Sequence, residues 1–320
     1  MTAIKGPTQA PSEAPPPRVV RQRGDRVFAG SAKGAGIFIL FILAGVTAFL
    51  LIEALPALTA PAEDIPGGNG LTAYIGPLLF GTLLAAVIAL VVATPLAVAI
   101  ALFVTHYAPR RMAASLGYLV DLLAAIPSIV YGFWGIAWFA PQLVPFYRWL
   151  EENLGFVPLF AGPTSTTGRT MLTAGLVLAI MILPIISAIS REVFLQVPVL
   201  HKEAALALGA TRWEMIKMAV LPYGKSGVIG GAMLGLGRAL GETLAVALVL
   251  SASGGITFNL ISTGNPSTVA ANIALEFPES TGIDVNTLIA SGLALFVITL
   301  AVNMFARWIV NRRADFSGAN

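Results

Sequence analysis

The sequence Gly235-Leu236-Gly237-Arg238-Ala239-Leu240-Gly241-Glu242-Thr243 places an arginine and a glutamate inside a long apolar segment, residues 226–252. At about 1.5 Å of rise per residue, a helix would bring Arg238 roughly 18 Å along this segment, near the centre of a hydrocarbon layer about 30 Å thick. An ionised side chain at that depth costs at least about 2.5–3.5 kcal/mol, so it requires compensation. Arg238 and Glu242 are four residues apart, which predicts that they are neighbours on one helical face. They are candidates for a structural ion pair or for part of a polar path through the membrane.

The rest of the chain has the composition of a membrane protein. Of its 320 residues, 57% are hydrophobic and 11% are charged, and the mean hydropathy is +0.83. This composition excludes an ordinary soluble globule. The apolar segments predict an all-α polytopic membrane protein with six transmembrane helices. The predicted spans are residues 34–55, 76–105, 113–140, 170–190, 226–252 and 287–309.

The charged residues predict the orientation of these spans. Sixteen of the 19 Lys and Arg residues fall on one side of the predicted topology, whereas the opposite loops hold only Arg148 and Arg169 against seven acidic residues. By the positive-inside rule, both termini are cytoplasmic. The net charge of +3 is therefore a topology signal, and no aromatic-rich basic surface indicates nucleic acid. With no cysteine in the sequence, disulfides, thiolate catalysis and Cys-ligated metals are excluded.

The sequence divides into a short tail, a first span, a core and a second tail. Residues 1–33 are rich in proline and arginine and predict a disordered cytosolic tail. The alternative of a cleavable signal peptide requires an unusually long charged region before the apolar run. We assign 34–70 to the first transmembrane helix and an external loop, 71–310 to a core that holds the remaining spans and 311–320 to a second cytosolic tail.

Two predicted spans contain a proline. Pro95 and Pro127 each delete an internal hydrogen bond and bend the helix, which suits a pathway or a moving element, or serves packing alone. Near Pro127, Ser128 and Tyr131 add a hydroxyl and a phenol at membrane depth and are candidates for lining a pore. Asp121, in the same span, is predicted to pair across helices, with a direct role in transport as the alternative.

Glycines in the fifth predicted span indicate a close helix contact. They stand at positions 227, 231 and 235, so one helical face is bare backbone. Such a face allows another helix to approach closely. We therefore predict a tight interface along this stripe.

The longest cytosolic loop, residues 191–225, carries the first resemblance to a known family. Residues 203–214 are typical of a helix, a glycine turn and a second helix. Glu203-Ala204-Ala205, Gly209 and Leu221-Pro222 stand at the spacing of the loop of permeases from ATP-binding-cassette (ABC) importers, with Ala219 where that pattern usually has isoleucine. This resemblance implies that Glu203, Ala204, Ala205 and Gly209 belong to a coupling helix that enters a groove of an ATPase subunit. Pro222 would interrupt the helix that follows.

A narrower resemblance indicates the substrate. Three stretches are similar to the phosphate-specific (Pst) permeases, and the residues after Thr243 favour the PstC type over the PstA type: residues 125–135, Arg191-Glu192-Val193-Phe194 and residues 237–245. The resemblance implies a bacterial plasma-membrane heterodimer with a PstA-type permease, two ATP-binding cassette subunits and an external phosphate-binding protein. It also implies that the chain binds no cofactor itself and that the partner ATPase uses the ATP.

The same resemblance gives the charged pair a function. The planar fork of Arg238 suits the oxygens of phosphate, and Glu242 would either hold that fork in place or repel the anion so that it is released. Thr243 would line the path together with Ser128 and Tyr131. The roles of Asp121 and Arg191 stay open.

Other functions remain as alternatives. The anion could be another oxyanion such as sulfate or molybdate, and the chain could be a non-transporting sensor or scaffold. Residues 219–226 resemble a phosphate-binding loop but lack the preceding strand and the soluble α/β domain. Gly224-Lys225-Ser226-Gly227 is similar to the motif of rhomboid intramembrane proteases, which require a histidine on a nearby span. Both histidines, His106 and His201, fall in cytosolic segments and lack spaced partners for a metal.

Overall fold

The computed structural model describes residues 23–314, which are almost entirely helical. A single β-bridge joins Ala252 and Asn265 within this range. A π-helical turn at Phe103–Tyr107 extends α2, and π-helical turns at Gly135–Phe139 and Ile216–Val220 join the helices on either side of them. The helices are α1 (Arg23–Thr59), α2 (Leu71–Leu102), α3 (Arg110–Ala124), α4 (Ser128–Trp134), α5 (Ala140–Leu154), α6 (Met171–Leu195), α7 (Val199–Ala207), α8 (Arg212–Met215), α9 (Leu221–Leu240), α10 (Leu244–Val249), α11 (Val269–Glu276) and α12 (Ile283–Ala314).

The predicted all-α membrane class is confirmed. Within the described residues, 5 helical stretches are long and apolar enough to cross a membrane. The fifth predicted span, residues 226–252, is absent from this set, because a break divides it and because Lys225, Arg238 and several glycines lower the hydropathy of α9. The count of six spans therefore stays a prediction. The stretches are Gly24–Thr59, Leu71–Tyr107, Ser128–Leu154, Met171–Leu195 and Ile283–Trp308.

The chain separates into two compact units, Met1–Phe49 and Leu50–Asn320. In the first unit, α1 begins at Arg23, so residues 23–33 are helical and do not belong to the predicted disordered tail. Asp25 in its first turn favours a helix start there, because it complements the helix dipole. Residues 1–22 of the predicted tail, and residues 315–320 at the other end, lie outside the described residues.

In the second unit, α6 is the central helix. Its side chains Met171, Val177, Leu178, Ile182 and Ile186 are buried and form one cluster with residues of α2, α9 and α10. The α2 face of this cluster consists of small side chains, which let two helix backbones approach closely in a membrane. These α2 residues are Ala85, Ala86, Ala89, Ala93 and Ala97.

The glycine stripe of α9 packs against α6, which confirms the predicted tight interface. A Cβ atom added at Gly227 would lie 2.3 Å from Cγ2 of Val193, and one at Gly235 would lie 3.0 Å from Cδ1 of Ile186. These separations leave no room for a larger side chain. The stripe therefore fixes α9 against the most buried helix and turns its opposite face outward.

The third predicted span, residues 113–140, is two helices instead of one bent helix. The first helix, α3, ends at Ala124, and α4 begins at Ser128 after Pro127. Proline disfavours helical geometry at the residue before it and lacks an amide N–H, so the helix stops there instead of kinking. Pro95 differs, because it lies inside α2, and α2 continues through it.

Candidate functional site

The fifth predicted span is interrupted at the point where its charges lie. Its first helix, α9, ends at Leu240, Gly241 forms the C-cap, and α10 begins at Leu244. Arg238 and Glu242 are therefore not on one continuous helical face, and the expectation that they are helical neighbours is wrong. Within the described residues, the only ion pair closer than 4.0 Å joins Arg191 and Asp121, so Arg238 and Glu242 do not form an ion pair.

Glu242 instead stabilises the start of α10. Its side chain is only 9% exposed, and Oε1 accepts a hydrogen bond of 3.1 Å from the backbone N–H of Ala245. The first N–H groups of any helix lack partners inside that helix, so this carboxylate satisfies one of them. The neighbouring Thr243 donates its hydroxyl hydrogen to the carbonyl of Gly241 at 3.2 Å. Together these two hydrogen bonds stabilise the backbone conformation of the break between α9 and α10.

This contact predicts different outcomes for two substitutions of Glu242. Glu242→Gln keeps an oxygen acceptor for the Ala245 N–H and removes only the charge, so we expect stability close to that of the wild type. Glu242→Ala removes the acceptor and is expected to lower the free energy of unfolding by about 1 kcal/mol. Thermal unfolding of the purified complex in detergent measures both. Equal destabilisation by the two substitutions would contradict the capping role.

Arg238 lies in a groove between α9 and α12. The groove has a volume of about 1030 Å³ and also contains Arg307, Ser226 and Asn303, with no acidic residue among those that line it in the described part of the chain. Arg238 is exposed, and its guanidinium has no carboxylate within 4.0 Å in residues 23–314. Its charge and its fork of donors are therefore available to an anion.

Sequence reasoning alone missed three polar groove residues. Arg307 contributed only to the predicted topology, Ser226 belonged to two motifs that predict other functions, and Asn303 belonged to no motif. Their position follows from the packing of α12 beside α9. No spacing within one helix indicates which residues of another helix it faces.

Two further predicted path residues lie at the start of α4. Ser128 begins this helix, and Tyr131 donates a hydrogen bond of 2.8 Å to the carbonyl of Leu123, across the break from α3. The helix α4 also packs on α10, since a Cβ at Gly132 would lie 2.9 Å from Cα of Ala245. The structure thus brings α4 and α10 together, while pore lining by Ser128, Tyr131 and Thr243 stays a prediction.

Asp121 and Arg191 form an ion pair. Oδ2 of Asp121 on α3 lies 3.5 Å from Nη2 of Arg191 on α6. This confirms the predicted pairing of Asp121 across helices. Gly117 makes the approach possible, because a Cβ there would lie 2.2 Å from Nη1 of Arg191. The pair holds α3 beside α6, and a role in transport is not required to explain it.

The predicted cytosolic helix pair corresponds to α7 and α8. Glu203 and Ala204 are exposed, whereas Ala205 packs against a second buried cluster. Gly209 has a φ of +84° and open space around its Cα, so it forms the turn between the two helices. Leu208 beside it is 90% exposed. Leu200 and Leu206 of α7 are also exposed, and a group of exposed apolar side chains is typical of a surface that another protein buries.

The start of α8 is fixed by a capping box. The side chain of Thr211 accepts from the N–H of Glu214, and the Glu214 carboxylate accepts from the N–H of Thr211. The Thr211 backbone N–H holds the pKa of the Glu214 carboxyl below its ordinary value. Folding thus favours the charged form, so the cap contributes at neutral pH and is lost as the pH falls through that pKa. Further along, Pro222 lies in the first turn of α9, directly after the π-helical turn, and the helix is continuous there, so the predicted interruption is wrong. The π-helical turn before Pro222 accommodates the N–H that proline lacks.

This architecture defines a class of membrane transporter subunit. Residues 93–315 match the family described as "Binding-protein-dependent transport system inner membrane component". The fold matches a crystal structure of a bacterial alginate ABC transporter in complex with alginate pentasaccharide-bound periplasmic protein. The TM-score is 0.61 at 15% sequence identity, and the match covers 91% of this chain and 96% of that chain. The chain belongs to the binding-protein-dependent transport system inner membrane component family.

Within this family, the relatives that match over most of the chain are phosphate permeases. The chain is 46% identical over 306 residues to phosphate transport system permease protein PstC 2 of Mycobacterium bovis, which covers 92% of this chain and 94% of that protein. It is 43% identical over 308 residues to phosphate transport system permease protein PstC of Mycobacterium leprae, covering 92% and 96%. The predicted resemblance to PstC-type permeases is confirmed.

Proposed function

We propose that this chain is the membrane-spanning permease subunit of an ATP-driven importer that moves inorganic phosphate into the cytoplasm. One structural observation carries the proposal. Arg238 is exposed in the α9–α12 groove without a carboxylate partner in the described residues, and no acidic side chain lines that groove. An unpaired guanidinium in a membrane segment is costly, and residues of this kind mark substrate and ion pathways. The PstC relatives support phosphate as that anion.

The complete transporter would contain several partners. A PstA-type permease would pair with this chain and close the open side of the groove, and an external phosphate-binding protein would deliver the anion. Two ABC subunits would bind and hydrolyse the ATP, so this chain is a transport subunit and binds no cofactor itself. With the positive residues on the inner side, both termini are cytoplasmic.

The helix pair α7–α8 would connect the ATPase to the spans. Its exposed apolar residues, Leu208 and Leu200, present a surface that an ATPase subunit can bury. The π-helical turn Ile216–Val220 joins α8 directly to α9, and α9 carries Arg238. A displacement of α7 and α8 would therefore be transmitted through the π-helical turn and α9 to Arg238, the residue that would bind the anion.

Uptake of radiolabelled phosphate tests the proposal. A strain lacking this gene is complemented with the wild-type chain, and unlabelled sulfate and molybdate are added as competitors. We expect restored uptake that excess phosphate suppresses and the other two anions do not. Suppression by sulfate or molybdate would assign a different oxyanion. No effect of the gene on phosphate uptake would overturn the assignment of phosphate and favour another oxyanion or a sensor or scaffold.

A further inference from the structure

A second pocket with an arginine lies away from the α9–α12 groove. Its volume is about 480 Å³. The predicted topology places the loop that contributes its polar side chains on the outer side of the membrane. The pocket is lined by Ile136, Pro141, Val144, Pro145, Thr166, Thr167 and Arg169.

Arg169 brings an unneutralised positive charge to this pocket. The residue is half-buried, and no carboxylate lies within 4.0 Å of its guanidinium in the described residues. Its Nη2 donates to the carbonyl of Leu250 at 3.2 Å, while its Nε is buried without a partner. A guanidinium carries five N–H donors, so this single bond leaves most of its hydrogen-bonding capacity unused.

The backbone around Arg169 is held rigidly. The buried side chain of Asn265 donates from Nδ2 to the carbonyls of Arg169, at 3.5 Å, and of Ser262, at 2.9 Å, and its Oδ1 accepts from the N–H of Met171 at 3.0 Å. A binding side chain whose support is fixed in advance loses less conformational entropy when a ligand arrives. The position of Arg169 is therefore prepared without the ligand.

Two hydroxyl groups share the pocket with this cation. Thr166 and Thr167 are both exposed, and Oγ1 of Thr167 accepts a hydrogen bond of 3.4 Å from the backbone N–H of Arg169. The same oxygen shares a hydrogen bond of 3.3 Å with Oγ of Ser165, in which either hydroxyl can donate. When Ser165 donates, Thr167 keeps a hydrogen for a ligand, as Thr166 does. An arginine and two hydroxyl donors, with no acidic residue among the lining side chains, form a donor set for an oxyanion.

The pocket is connected to the Arg238 region through α10. Leu250, which Arg169 contacts, directly follows the last residue of α10. The other end of α10 is the break capped by Glu242, and Arg238 lies before this break in the last turn of α9. A helix of 6 residues is about 9 Å long. The two arginines thus lie toward opposite ends of one short helix.

We propose that Arg169, Thr166 and Thr167 form an outer anion site that takes up phosphate before it reaches Arg238. The proposal rests on the proposed function, because it assumes that phosphate is the transported anion. Arg169 supplies the charge, and the two threonines supply neutral donors. Phosphate would then lose its hydration shell in two steps, first at Arg169 and then at Arg238.

The absence of cysteine from the chain allows a direct test in the assembled transporter. Thr166→Cys places one thiol in the pocket, and its rate of reaction with a negatively charged thiosulfonate reagent is measured on this subunit with and without inorganic phosphate. We expect saturating phosphate to slow labelling about tenfold or more. Adding Arg169→Gln is expected to remove this protection, and Arg169→Lys to keep part of it. Phe156→Cys is the matched control, because Phe156 is 82% exposed on the same side and does not line the pocket.

Each outcome decides the proposal separately from the proposed function. Phosphate uptake by the unsubstituted complex is measured first, and its failure would overturn the proposed function. In a complex that imports phosphate, labelling of Thr166→Cys that phosphate does not slow would overturn the outer site and leave the proposed function intact. Protection that persists in Arg169→Gln would overturn the assignment of Arg169. A change of labelling at Phe156→Cys in the Arg169→Gln background would show that the loop, and not the site, was altered.

Discussion

Arg238→Gln is expected to lower phosphate uptake roughly 30- to 150-fold while the transporter still assembles. The substitution removes charge-assisted hydrogen bonds to the anion, a loss of about 2–3 kcal/mol. Folding should be little affected, because Arg238 is exposed in its groove and has no carboxylate partner in the described residues. Removing one member of a buried ion pair normally destabilises a protein, because the other charge is left unpaired. Arg238→Gln leaves no such charge behind.

Two further variants separate charge from geometry. Arg238→Lys keeps the positive charge but loses the planar fork, so we expect uptake between that of the wild type and that of Arg238→Gln. Arg148→Gln is the matched control. Arg148 is exposed, lies on the outer side of the membrane in the predicted topology and lines neither pocket. It should transport like the wild type.

The measurement is initial uptake of radiolabelled phosphate, normalised to the amount of assembled complex in the membrane. Wild-type uptake by Arg238→Gln would show that phosphate does not pass Arg238. Loss of assembly in this variant would instead indicate a structural role for the arginine. The proposed path along the α9–α12 groove would fail in either case.

Patterns that repeat within one helix could be predicted from the sequence. The glycines of α9 repeat every four residues, and the structure places this face against α6, with the added Cβ of Gly227 only 2.3 Å from Val193. The pairing of Asp121 across helices was also predictable, because a charge near membrane depth requires a partner. Its identity, Arg191, depended on the packing of α3 beside α6, which no local pattern describes.

The breaks within the predicted spans were harder to predict. Hydropathy averages over a long window, so it treats residues 226–252 as one apolar helix. The end of α9 at Gly241 and the start of α10 depend on local hydrogen bonds, chiefly the bond from the N–H of Ala245 to Glu242. A glutamate before an apolar run is also compatible with a continuous helix. The two pockets that contain Arg238 and Arg169 were also hard to predict, because each is formed by segments that are distant in sequence.

Gly209→Val is expected to uncouple the transporter by distorting the turn between α7 and α8. Gly209 has a φ of +84°, and this left-handed conformation costs an L-residue about 1–2 kcal/mol, more for a β-branched one. No atom lies within 4 Å of a Cβ added there, so the effect comes from the backbone and not from crowding. A cost of 1–2 kcal/mol lowers the ratio of native to distorted turn roughly 5- to 30-fold. Phosphate-dependent ATPase activity and phosphate uptake should fall together, by up to about that factor.

A second substitution at the same position provides the control. Asparagine adopts the left-handed conformation more readily than other non-glycine residues, so Gly209→Asn should keep most of the activity, although it also adds a side chain in the same open space. Both variants are compared in reconstituted complexes with wild-type amounts of ATPase subunit. Equal activity of Gly209→Val and wild type would show that the shape of this turn is not needed for coupling. Equal loss of activity in both variants would assign the effect to the added side chain. Loss in Gly209→Val alone would show that the conformation of this turn couples movement of the ATPase subunit to α9.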